Sequence, residues 1–156
     1  MKVLFKIIIF ITIFIIFSWV FFYTKDLLFA PTTNISSVCF KDNCFSVQLA
    51  ITNAEHEKGL MFISKMGKNN GMLFVFSKEN IYPFWMKNTL IPLDIIWINR
   101  DNKVVFINEN SQPCPANETN CPLIDPNVKA FYVLEVNSGI VKEIEIKVGD
   151  KVEFKS

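Results

Sequence analysis

Lys87, Asn88, Thr89 and Asp94 stand within eight positions of one another, between the apolar runs Phe84-Trp85-Met86 and Ile95-Ile96-Trp97. An ammonium, an amide, a hydroxyl and a carboxylate so close together can hold a carboxylate, a sugar or a peptide end. The same four side chains can instead form a buried polar network that fixes the connection between two strands. Asn and Thr in connections commonly bond backbone. Trp85 and Trp97 could each offer a ring to stack on a sugar or peptide, or could fill a core. Glu135 sits in the otherwise apolar run Tyr132-Val-Leu-Glu-Val136. A carboxylate there is costly unless paired. Lys87 is its first expected partner, with Arg100 or solvent as alternatives. Converging Asp94 and Glu135 would also supply the paired carboxylates of glycoside chemistry.

Metal and nucleophile chemistry find less support. His56 is the single histidine. With Met61, Met66, Met72 and Met86 it could form a thioether and imidazole site for copper. Core filling is the simpler use of methionines that stand beside Leu, Phe and Trp. No Gly-x-Ser-x-Gly elbow accompanies His56, so a hydrolytic triad is not indicated. No metal and no cofactor is expected.

Four cysteines form two local pairs, Cys39 with Cys44 and Cys114 with Cys121. In an oxidising compartment such pairs read as disulfides. The rival is a four-cysteine zinc site, but zinc ribbons space each pair by two residues, and here four and six intervene. The expected bonds are Cys39–Cys44, clipping a hairpin about Lys41-Asp42-Asn43, and Cys114–Cys121, closing a Pro-rich loop.

The compartment is suggested by the first 24 residues. From Ile7 to Thr24 no charge occurs, and Lys2 and Lys6 precede the run. About 20 apolar residues match the roughly 30 Å hydrocarbon core of a bilayer. The run is longer than a secretory signal core and lacks a small-residue cleavage pattern. Residues 1–24 are therefore expected to be an uncleaved transmembrane signal-anchor. Residues 25–37 would be a tether and 38–156 a domain. The positive-inside rule places the N-terminus in the cytoplasm and the domain outside the cell membrane. Beyond Ala30, 13 Lys and Arg face 14 Asp and Glu. That balance gives no basic patch for nucleic acid. Asn34-Ile-Ser36 and Asn117-Glu-Thr119 fit the glycosylation pattern.

The elements that must position these residues are mostly strands. Val38–Phe40, Phe45–Ala50, Gly71–Phe76, Phe84–Lys87, Asp94–Asn99, Lys103–Asn108 and Ala130–Val136 carry strand signals. Arg100-Asp101-Asn102 marks a hairpin. Asn53–Met61 is the best short helix, with Asn53 as N-cap and Gly59 as its end. Residues 138–145 hold one or two helical turns. Residues 109–127, with four prolines, form a loop. Gly149-Asp150 turns into a last strand. These elements imply a mainly β (α+β) domain, a compact antiparallel barrel or sandwich with one or two short helices.

Four segments are richer than a fold requires. They are Gly59-Leu60-Met61, Gly71-Met-Leu-Phe74, Phe84-Trp-Met-Lys-Asn-Thr89 with Pro92-Leu-Asp94, and Tyr132-Val-Leu-Glu135. With Gly149-Asp150 they resemble the domain of unknown function 192 family, in order and spacing, from about Val38 to Phe154. The resemblance implies a small β-rich domain, often found behind a signal or anchor. It brings no activity, cofactor or catalytic residue. The chain departs from the family pattern at Glu55-His56, where Glu-Arg is usual, and in its cysteine pairs. The leading functional expectation is a non-enzymatic binding or accessory module for a small polar ligand, sugar or peptide. It would use Trp85, Lys87, Asn88, Thr89, Asp94 and Glu135. The alternatives are a cell-envelope hydrolase using Asp94 or Glu135, and a structural subunit of an envelope complex.

Overall fold

A computed structural model describes residues 34–118 and 120–156. The proposed anchor and most of the tether lie outside the described residues. No helix among those described is long and apolar enough to cross a membrane.

Among the described residues nine strands form: β1 (Ser37–Phe40), β2 (Asn43–Ala50), β3 (Asn70–Asn80), β4 (Phe84–Trp85), β5 (Leu93–Ile98), β6 (Val104–Ser111), β7 (Leu123–Ile124), β8 (Ala130–Asn137) and β9 (Glu153–Lys155). Two short helices join them among these residues, α1 (Asn53–Lys58) and α2 (Ile140–Glu143). Seven strands make one sheet in the order β6-β5-β8-β3-β2-β1-β9, and β4 pairs separately with β7. The sheet curls into a half-barrel. Val104 N–H donates to the Asp150 carbonyl and Val152 N–H to the Asn102 carbonyl, so the chain entering β9 meets the start of β6.

The expected antiparallel sheet needs one correction, because β2 runs parallel to β3. A parallel neighbour requires a long crossover, and residues 51–69, carrying α1, provide it. The helix is capped one residue earlier than expected. Thr52, not Asn53, accepts from Glu55 N–H, and the Glu55 carboxylate accepts from Thr52 N–H, making a capping box. These bonds hold Glu55 below its usual range. Gly59 ends α1 as expected, with φ +43°. The expected loop at 109–127 contains β7, which was too short to leave a pattern.

Alternation along the strands divides the core in two. Leu73, Val75, Ile96, Ile98, Leu134 and Val136 face one cluster, closed by Ile140 and Val141 of α2. Phe74, Leu93, Ile95, Trp97 and Val133 face the other, with Leu60 and Met86 laid over them. This second layer comes from the 59–63 turn and the β4–β7 pair, and it is where the site lies.

Both disulfides form as expected, Cys39–Cys44 and Cys114–Cys121, and no free cysteine remains. That removes the four-cysteine zinc reading. Phe40 pairs with Asn43, so Lys41 and Asp42 alone make the hairpin turn, with Lys41 at φ +53°.

Candidate functional site

Glu135 is set by β8, paired with Met72 on β3 and Ile95 on β5. Its place in the alternation turns it toward the second layer, beside Val133 and away from Leu134 and Val136. It is 4% exposed, and its Oε2 has no hydrogen-bond partner among the described residues. Loss of water around the carboxyl pushes it up to about 8. The group is therefore mostly a neutral acid at pH 7, an O–H donor that lacks an acceptor.

A slot of about 20 Å³ opens above this carboxyl, walled by Gly59, Leu60, Phe74 and Phe84, with Trp85, Lys87 and Thr89 beside them. That volume holds about one water-sized group. Gly59 keeps it open. A Cβ there would lie 3.2 Å from the Phe74 ring and 4.0 Å from Glu135 Oε2. Phe74 and Phe84 meet edge to face at 4.8 Å and stiffen the wall. Gly71 serves the same carboxyl indirectly. A Cβ on it would come within 2.6 Å of the Glu135 carbonyl, so β3 can approach β8 this closely only with glycine there.

Each expected site residue has a definite place. Trp85 is 39% exposed at the slot's edge, across the β4–β7 pair from Leu123, which is 65% exposed. Lys87 is exposed and rests its Nζ 5.1 Å from the Trp85 ring centre. It makes no ion pair with Glu135. The ion pair found among the described residues is Lys68–Glu143. Arg100 is not the partner either, for its guanidinium lies over Phe131. Asn88 donates its side-chain Nδ2 to Met61 Sδ and holds its neighbours through its backbone. Its N–H donates to the Cys114 carbonyl and its own carbonyl accepts from Phe62 N–H, which ties three loops together. Thr89 is buried and lines the slot. Trp97 is wholly buried, its indole N–H given to the Tyr82 carbonyl, so its stacking role is replaced by the core one.

Asp94 does not join this group. Its Oδ1 accepts from Asn110 N–H and its Oδ2 from Val141 N–H in the first turn of α2. Asp94 pairs with Val136 while Ile95 pairs with Glu135, so the two carboxylates point to opposite faces of the sheet. They do not converge, and the two-carboxylate hydrolase geometry is corrected on that ground. Residues of the copper reading have other uses. His56 Nε2 sits 2.9 Å from the Ala50 carbonyl, its ring lies against Phe76, and Met86 is buried in the second layer.

Four motif pieces far apart in the chain thus meet at one place: 59–61, 74, 84–89 and 135. The match to known proteins covers the same span. Residues 36–154 match the model of the DUF192 family, domain of unknown function 192, described as "Uncharacterized ACR". The chain belongs to this family. A UPF0127 protein of Thermococcus gammatolerans is 26% identical over 113 residues, covering 69% of this chain and 65% of that protein. The chain thus spans less than two thirds of that relative's length. A crystal structure from Novosphingobium aromaticivorans, of a protein of unknown function, is 36% identical with TM-score 0.69. It covers 79% of this chain and 89% of that one. A Sinorhizobium meliloti protein, provisionally described as a transcription regulator, is 33% identical with TM-score 0.68, over 76% of this chain and 90% of that one. Within the DUF192 pattern, Gly59, Leu60 and Phe74 were visible as motif letters. Their role as slot walls was not, because nothing local says that β3, β8 and the turn after α1 share a face.

Proposed function

We propose that this DUF192 domain is a non-enzymatic binding module that receives a polar group of a small ligand, sugar or peptide in the slot over Glu135. One observation carries the reading: a buried carboxyl oxygen without a partner, at the base of an opening where the four motif pieces converge. Burying a polar atom unpaired costs about 1–3 kcal/mol, a cost that a ligand's own hydrogen bond would offset. A slot of about 20 Å³ admits only a protruding group, so the ligand's body would rest outside, on Trp85. Asp94 has no part in it, being occupied by backbone.

A thermal-shift screen of polar compounds, sugars and peptides on the full-length chain in detergent micelles tests this. Genuine ligands raise the melting temperature by mass action, and Trp85→Ala should abolish the rise. An empty screen, or hits indifferent to Trp85→Ala, would sink the reading. The domain is further proposed to stand outside the cell membrane on residues 1–24. The uncharged run and the two disulfides support that placement. A reporter active only in the cytoplasm, fused after Ser156, should be silent. Activity there would overturn the placement.

A further inference from the structure

The surroundings of Glu135 favour one ligand chemistry. The charged and titratable side chains lining the slot are His56, Glu57 and Lys58 from the α1 side and Lys87 from the connection after β4. While the Glu135 carboxyl keeps its proton, Lys58 and Lys87 outnumber Glu57, so the mouth is net positive. The base of the slot then offers an O–H donor, and the mouth offers an ammonium. Beside them lies an exposed apolar pair, Trp85 and Leu123, opposite each other on β4 and β7. Directly opposed residues of an antiparallel pair share a face, so these two form one patch next to Lys87.

We propose that the slot receives an organic carboxylate, one oxygen accepting from the Glu135 carboxyl, the other facing Lys87, and the apolar neighbour of that carboxylate lying on Trp85 and Leu123. The inference rests on the binding reading above and narrows it. An acid–carboxylate hydrogen bond is of the short, charge-assisted kind. A narrow slot suits it because only one oxygen has to enter. A primary ammonium would pair well only with an ionised Glu135, and it would meet Lys58 and Lys87 at the entrance. A free small acid and the carboxyl end of a peptide present the same chemistry.

The test is calorimetric titration of the full-length chain in micelles with phenylacetate, phenylacetamide and phenethylamine at pH 6.5 and pH 9. Phenylacetate should bind at pH 6.5 and weaken about tenfold at pH 9, because about nine in ten Glu135 carboxyls have lost the proton there. Glu135→Gln keeps an N–H donor, so it should retain binding and lose the pH dependence. Lys87→Met should weaken binding about tenfold at both pH values. An acetylated tripeptide ending in Phe, with its carboxyl free or amidated, separates the sources. Preference for the free end identifies a peptide terminus, and phenylacetate binding without tripeptide binding identifies a small acid. Phenethylamine binding that strengthens above pH 8 would overturn the carboxylate inference and leave the binding reading standing. Failure of all three probes, together with an empty screen, would remove both.

Discussion

Replacing Glu135 by Gln should make the protein more stable in alkali and flatten its pH profile. Burial lifts the carboxyl from its ordinary 4.5 to about 8. Between those values the folded chain holds a proton that the unfolded chain has released. Stability therefore falls as pH rises through that window and levels off above pH 8. The full interval corresponds to about 5 kcal/mol, an upper figure because water entering the slot would solvate the charge. Even half of it is large against a typical domain stability of about 5–15 kcal/mol. Glu135→Gln is nearly isosteric and carries no titrating group. Urea unfolding of both proteins at pH 5, 6, 7, 8 and 9 gives the difference, in which every other titrating group cancels. The variant should gain on the wild type by up to about 1.4 kcal/mol per pH unit between pH 5 and 8. Parallel profiles would refute the reasoning, for they would mean that the carboxyl is paired or solvated in the folded state.

Three further outcomes follow from the same contacts. Asp94→Ala removes the acceptor of two backbone N–H groups, at Asn110 and Val141, and should cost about 3–5 kcal/mol in urea unfolding. Lys87→Ala should cost under about 1 kcal/mol, since only the Trp85 contact is lost. A double-mutant cycle with Glu135→Gln should be additive within about 0.5 kcal/mol, and strong coupling would restore the ion pair expected from sequence. Gly59→Ala puts a methyl at φ +43° against Phe74, so it should cost about 1–3 kcal/mol and abolish phenylacetate binding measured by calorimetry.

The sequence disclosed the strands more readily than the site. The continuous apolar runs at 71–76 and 130–136 marked β3 and β8 because both strands lie inside the sheet and pack on both faces. The cysteine spacings disclosed both disulfides for a local reason, since each bond closes a short loop. Asp94 misled because it lies near Lys87 in sequence. One position of strand alternation is enough to send it to the other face, and alternation cannot be assigned until the neighbours of β5 are known. Glu135 and Lys87 misled in the other way. A buried acid suggests a partner, but Lys87 stays on the exposed indole of Trp85 and leaves the carboxyl alone. The parallel β2–β3 pair was equally hidden, because strand signals carry no direction.

The most direct measurement is a carbon-13 titration of the Glu135 side-chain carboxyl in the full-length chain labelled at glutamate, assigned by its loss in Glu135→Gln. The expected midpoint is near 8, with added phenylacetate holding the proton on to still higher pH. A midpoint between 4 and 5, unmoved by phenylacetate, would contradict both the buried, unpartnered acid and its use as a binding group.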